Sequence, residues 1–150
     1  MADSELKSRL QNDVKSAMKA GEKDRLATLR LIMAAIKQVE VDERKALSDA
    51  DVIALLDKMT KQRRESIEQY SKAKREDLIA VEEAELVIIK EYLPAQLSEA
   101  EIAELIKQAV QESGAESIRD MGKVMAIIKP QAQGRADMAK ISAAVKAQLA

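Results

Sequence analysis

Apolar residues recur every three or four positions along almost the whole 150-residue chain, interrupted by only two prolines and four glycines. That period is helical, and it leaves little room for a strand of alternating character. Leu6, Leu10, Val14 and Met18 follow Asp3 and Ser4, either of which can cap, and Gly21 stands where a C′ glycine ends a helix. The first helix is therefore expected from about Ser4 to Ala20. A second, from Lys23 to about Lys45, carries Leu26, Leu29, Ile32, Met33, Ile36 and Val39 and is expected to be the most buried.

Ser48, with Asp49 and Asp51 behind it, reads as the cap and acidic first turn of a third helix lined by Val52, Leu56, Met59, Ile67 and Tyr70. Its second half is basic, with Arg63 and Arg64 among seven cations. The fourth helix, marked by Leu78, Val81, Leu86, Ile89 and Leu93, is acidic on its polar face. An antiparallel hairpin of the two would set basic beside acidic, the reading preferred over a binding role for either face.

Pro94 stops the fourth helix, and Ser98 with Glu101 three residues later has capping-box spacing, so the domain boundary is expected between Leu93 and Ser98. Three short helices follow: Glu99 to Ser113; Ile118 to about Lys129, capped by Ser117 with Asp120 and ended by Pro130 and Gly134; and Asp137 to Leu149. The expected fold is all-α, a four-helix region over residues 1–94 and a small three-helix domain over 95–150.

With no cysteine and no histidine, thiolate chemistry, imidazole acid–base catalysis and nearly every zinc arrangement are closed. Neither glycine-rich phosphate loop occurs, so no catalytic residue, cofactor or metal ligand is assigned. The first twenty residues carry charges throughout, unlike a signal peptide, and no apolar run is long enough to span a bilayer. A cytoplasmic location is expected.

The basic residues remain. Met121 to Ala150 holds Lys123, Lys129, Arg135, Lys140 and Lys146 against Asp137 alone, net +4, which suits a phosphate backbone. Gly134 would give Arg135 a flexible turn near the positive end of the last helix. With only Tyr70 and Tyr92 as aromatics, stacking on unpaired bases is disfavoured, and structured RNA is the more fitting nucleic acid.

Asp120-Met121-Gly122-Lys123-Val124-Met125, Pro130 and Gly134-Arg135-Ala136-Asp137 resemble the C-terminal tail domain shared by YqeY-like proteins and the B subunit of the glutamyl/aspartyl-tRNA amidotransferase. The front half is similar to YqeY-like proteins as well, in Leu29-Arg30-Leu31-Ile32, Lys61-Gln62-Arg63-Arg64-Glu65-Ser66-Ile67, Arg75-Glu76-Asp77-Leu78 and Tyr92-Leu93-Pro94. The resemblance implies a helical region with a three-helix tail and a link to tRNA, against which the corresponding amidotransferase tail lies. The glutamine-dependent carbon–nitrogen ligase activity belongs to a catalytic domain without a counterpart here. Met138-Ala139-Lys140 stands where relatives often place a glycine, which makes the last helix start firmer. The expectation is an accessory binder of tRNA or other structured RNA, with Lys123, Lys129, Arg135, Lys140 and Lys146 as contacts and Arg63 and Arg64 as a further basic face. The alternative is an adaptor docking on a tRNA synthetase or amidotransferase subunit.

Overall fold

Ser4 accepts a hydrogen bond from the amide of Lys7, and Gly21 adopts the left-handed backbone at φ 71° to which a Cβ would object, so α1 runs Glu5–Ala20 as its punctuation predicts. The structure, a computed structural model, describes residues 4–150; Asp3, the other candidate cap, lies outside the described residues. α2 spans Lys23–Glu43, two residues short of the expected end, because Arg44 turns left-handed at φ 53° and its amide closes on the Glu40 carbonyl.

Ser48 and Asp51 form a reciprocal capping box that starts α3, Asp49–Lys72. α4 follows as Glu76–Lys90 after a tight turn through Lys74, which is also left-handed. The two helices pack along each other as the antiparallel hairpin expected from their charges.

α5, Glu99–Ser113, opens on the Ser98–Glu101 capping box and ends at left-handed Gly114. The next helix departs from expectation at both ends. Ile118–Asp120 is a separate 3-10 turn, the Ser117 side chain caps nothing, and Asp120 instead accepts from the amide of Glu116. α6 then runs Met121–Ala132 straight through Pro130. Proline removes the amide that would have bonded to Ala126, but Ala126 is exposed and water can replace the lost partner there. The last turn is held by other donors, Gln131 Nε2 to the Ile127 carbonyl at 3.1 Å among them. α7, Met138–Leu149, is capped by Asp137, whose carboxylate accepts from the Ala139 amide.

All seven α-helices lie in a chain that has no strand among the described residues. Two compact units are present, one reaching to Leu93 and one spanning Pro94–Ala150. The first buries Leu10, Leu29, Ile32, Ile36, Val52 and Leu56 completely, and the second centres on Val124, Ile128, Ile141 and Val145. The second core is aliphatic and the first nearly so, with Tyr92 as its one aromatic, and burying such side chains stabilises by about 1.5–3 kcal/mol apiece.

Polar ties secure the open end of the first unit. Asp49 accepts from the Ser4 hydroxyl and from the Leu6 amide at 3.1 Å, which keeps its carboxyl below the usual carboxylate range. Lys7 Nζ lies 2.8 Å from Glu40, whose other oxygen accepts from the Leu47 amide at 3.1 Å; Lys7 and then that amide hold the Glu40 carboxyl low.

Candidate functional site

α6 and α7 are built on one pattern. Asp120-Met121-Gly122-Lys123-Val124 returns seventeen positions later as Asp137-Met138-Ala139-Lys140-Ile141, and Ile128-Lys129 returns as Val145-Lys146. The equivalent aliphatic positions, Val124 and Ile128, Ile141 and Val145, are buried in both helices. The lysines therefore occupy equivalent places too, and all four are exposed. Lys123 is 3.8 Å from Asp120 with its side chain 71% exposed; Lys129, Lys140 and Lys146 make no ion pair.

Helical geometry separates the two lysines of each helix. Six residues at about 100° each set them roughly 120° apart around the axis. Lys123 and Lys140 point away from the core, and Lys129 and Lys146 sit on its flank. The second unit thus displays the same two-lysine arrangement twice rather than one continuous basic stripe.

Arg135 is placed differently from the free turn residue that Gly134 suggested. Gly134 is left-handed at φ 78° and buried, so the turn is fixed. The guanidinium Nε donates to the Ala95 carbonyl at 3.0 Å and Nη1 to the Gln131 carbonyl at 3.4 Å. Its own carbonyl accepts from the Leu97 amide at 2.8 Å, while Gln96 Nε2 donates to the Gly134 carbonyl at 2.9 Å. Arg135 braces residues 95–97 against the end of α6. Glu101 nearby is held below the usual carboxylate range, mainly by the Ser98 amide and hydroxyl and least by attraction to Arg135.

Arg63 and Arg64 part company as well. Arg63 Nε lies 3.1 Å from Glu85 of α4, with both side chains less than one fifth exposed, whereas Arg64 is exposed and makes no ion pair. Among the described residues, no cluster of carboxylates could hold a metal ion.

A polar cluster around Tyr92 escaped the reading of the sequence. Tyr92 is 3% exposed and its hydroxyl donates to Asp13 of α1 at 2.5 Å. Arg25 of α2 reaches that hydroxyl at 3.4 Å and Glu91 at 2.7 Å. Arg9 lies 4.6 Å above the ring and donates to the Glu91 carbonyl at 3.2 Å. Burial first, then the Asp13 contact, pushes the phenol pKa up, so the hydroxyl stays a neutral donor. The Arg25 guanidinium is held charged chiefly by Glu91. These partners lie 66 to 82 residues apart in sequence, and the only signal was that one of two aromatics stands two residues before Pro94.

The family model described as Yqey-like protein matches residues 7–149. "Altered inheritance of mitochondria protein 41, mitochondrial" of Pyrenophora tritici-repentis is 37% identical over 131 residues, covering 85% of this chain and 71% of the relative. The protein of that name in Lachancea thermotolerans is 40% identical over 97 residues, covering 64% of this chain and 51% of the relative, and that in Clavispora lusitaniae is 35% identical over 109 residues, covering 71% and 64%. The chain therefore spans only about half to two thirds of the length of some relatives it matches.

These relatives correct the expected cytoplasmic location, since their names place them in mitochondria. Missing cysteines speak to redox conditions and missing apolar runs to membrane spans, and neither distinguishes one reducing compartment from another. No helix among the described residues is long and apolar enough to cross a membrane. On a match that covers nearly its whole length, the chain belongs to the Yqey-like protein family.

Proposed function

We propose that this chain is an accessory binder of structured RNA, tRNA in the first instance, which contacts phosphates through Lys123, Lys129, Lys140 and Lys146. The observation that carries the reading is the duplicated lysine arrangement on α6 and α7: four exposed ammonium groups, three of them without an ion pair and the fourth only 3.8 Å from Asp120. The whole chain has net charge −1, so attraction to RNA must be local to this surface. Spread around two helix axes, the lysines suit a folded RNA that presents phosphates from more than one strand. Arg135 supports the surface by fixing the turn between α6 and α7. The relatives' names favour a mitochondrial setting. The amidotransferase tail resemblance supplies tRNA as the first RNA to try, without the ligase chemistry.

The test is binding of labelled tRNA to the full chain across a salt series. Affinity is expected to fall as salt rises, and Lys123→Glu with Lys140→Glu to lower it and to reduce the salt slope by about two. No binding at low salt, or binding untouched by the double substitution, overturns the reading.

A further inference from the structure

Two rows on the outside of the first unit face solvent with opposite charge. α2 turns Leu29, Ile32 and Ile36 inward and presents outward Lys23, Arg30 and Lys37, all exposed and spaced seven residues apart, with exposed Arg44 in the cap that follows. Seven residues are nearly two helical turns, so this row climbs the axis in steps of about 10 Å with little angular drift. Alongside run Ala27, Leu31, Ala34 and Val41, with Leu31 48% and Val41 63% exposed. Phosphates have no use for a leucine and a valine between the cations, whereas a second helix lying alongside does.

α4 carries the acidic counterpart. Asp77, which pairs with Arg75 at 2.9 Å, and Ala80, Ala84 and Val87 follow in steps of three and four and are all exposed, Val87 at 65%, while Glu76 and Glu83 flank them seven residues apart, ahead of Lys90 at the end of the helix. None of Arg30, Lys37, Glu76 and Glu83 makes an ion pair or a side-chain hydrogen bond within the chain.

Laid antiparallel, the rows share a register. Setting Arg30 opposite Glu83 puts Lys37 opposite Glu76, because both pairs are seven apart; it brings Ala27 beside Val87 and Ala34 beside Ala80, and it leaves one like-charged pair, Lys23 with Lys90, at the end of the contact. Alanine at the crossing lets the two backbones approach closely. Within one chain this match is unavailable: α2 meets α4 through Arg25 and Glu91, and Arg25 lies about half a turn around α2 from Ala34. We propose that the two rows bind each other between copies of this chain, with α2 of one copy antiparallel on α4 of another.

Exposed ion pairs contribute about 0–1 kcal/mol each, so charge sets the register while the aliphatic rows supply the burial. The test is sedimentation velocity of the full chain over a concentration series at low salt, with circular dichroism to check helix content. Arg30→Glu with Lys37→Glu sets acidic groups against Glu83 and Glu76 at the centre of the contact, and Glu76→Lys with Glu83→Lys sets basic groups against Arg30 and Lys37 there. The unaltered chain is expected to associate with rising concentration, and each double variant to associate about tenfold more weakly or worse. An equimolar mixture of the two variants is expected to regain association, since each then offers the other an opposite row. The proposal is overturned if the unaltered chain stays monomeric at the highest soluble concentration, if either variant associates as the unaltered chain does, or if the mixture remains monomeric. It is equally overturned if the α2 variant loses tRNA binding while the unaltered chain never self-associates. The tail lysines are unchanged in both variants, so failure here and failure of the RNA reading are separable.

Discussion

Residues 4–60 and residues 61–85 of the first unit are both helical, yet they are stabilised in different ways. The former place Leu10, Leu29, Ile32, Ile36, Val52 and Leu56 out of contact with water and close the open end with Asp49 and Glu40. In the latter, which form the outer part of the α3–α4 hairpin, no residue is buried. Ile67, Tyr70, Leu78 and Ile79 are each only half-covered, by the facing helix. The difference teaches that helix formation and core formation are separable here: the hairpin is long enough to have a partner and too thin to have a core of its own.

Breaking that contrast begins with the largest effect. Ile32→Ala is expected to cost about 2–5 kcal/mol in denaturant unfolding, and Ile67→Ala well under half as much, because a half-exposed side chain leaves no sealed cavity. Equal costs would mean that the hairpin does possess a hidden core. Tyr92→Phe is expected to cost about 1–2 kcal/mol, since it leaves Asp13 without its hydroxyl donor while the ring's burial persists. Loss no greater than that of an exposed control substitution would reduce the Tyr92 cluster to packing alone.

Acid titration sharpens the comparison further. The Glu40 carboxyl is depressed in the folded chain, so its stabilising contribution is complete above the ordinary glutamate value and disappears as pH falls through the lower folded value. Glu40→Gln is therefore expected to be less stable than the unaltered chain at pH 7, with the gap narrowing below about pH 4.3. A gap independent of pH would assign its cause to packing. The smallest effect concerns the hairpin's cations: Arg63→Ala should cost about 1 kcal/mol through its sheltered pair with Glu85, and Arg64→Ala less than about 0.5. Reversed costs would place the hairpin's charge pairing on the wrong residue.

Much of this architecture was legible because its determinants are local. Ser48 with Asp51, Ser98 with Glu101 and the glycines at 21 and 114 act over three or four residues, and the apolar period reports which face turns inward. Pro130 misled because a proline stops a helix only where the orphaned carbonyl has no substitute, and Ala126 faces water. The lysines of the second unit were legible as residue types, whereas their division into an outward and a flanking pair follows from the register of Val124 and Ile141 in the core. Arg135 looked free because Ala95, its carbonyl partner, lies forty positions away. The Tyr92 cluster was hidden for the same reason, its members joining three helices.

That cluster has a mechanical consequence. Tyr92 is buried just two residues before Pro94, so tension applied to the chain from its C-terminal side meets the hydroxyl–carboxylate contact to α1 and the stacked Arg9 before it can unwind α4. Those contacts come from α1 and α2, so the end of α4 is held by helices other than its own hairpin partner.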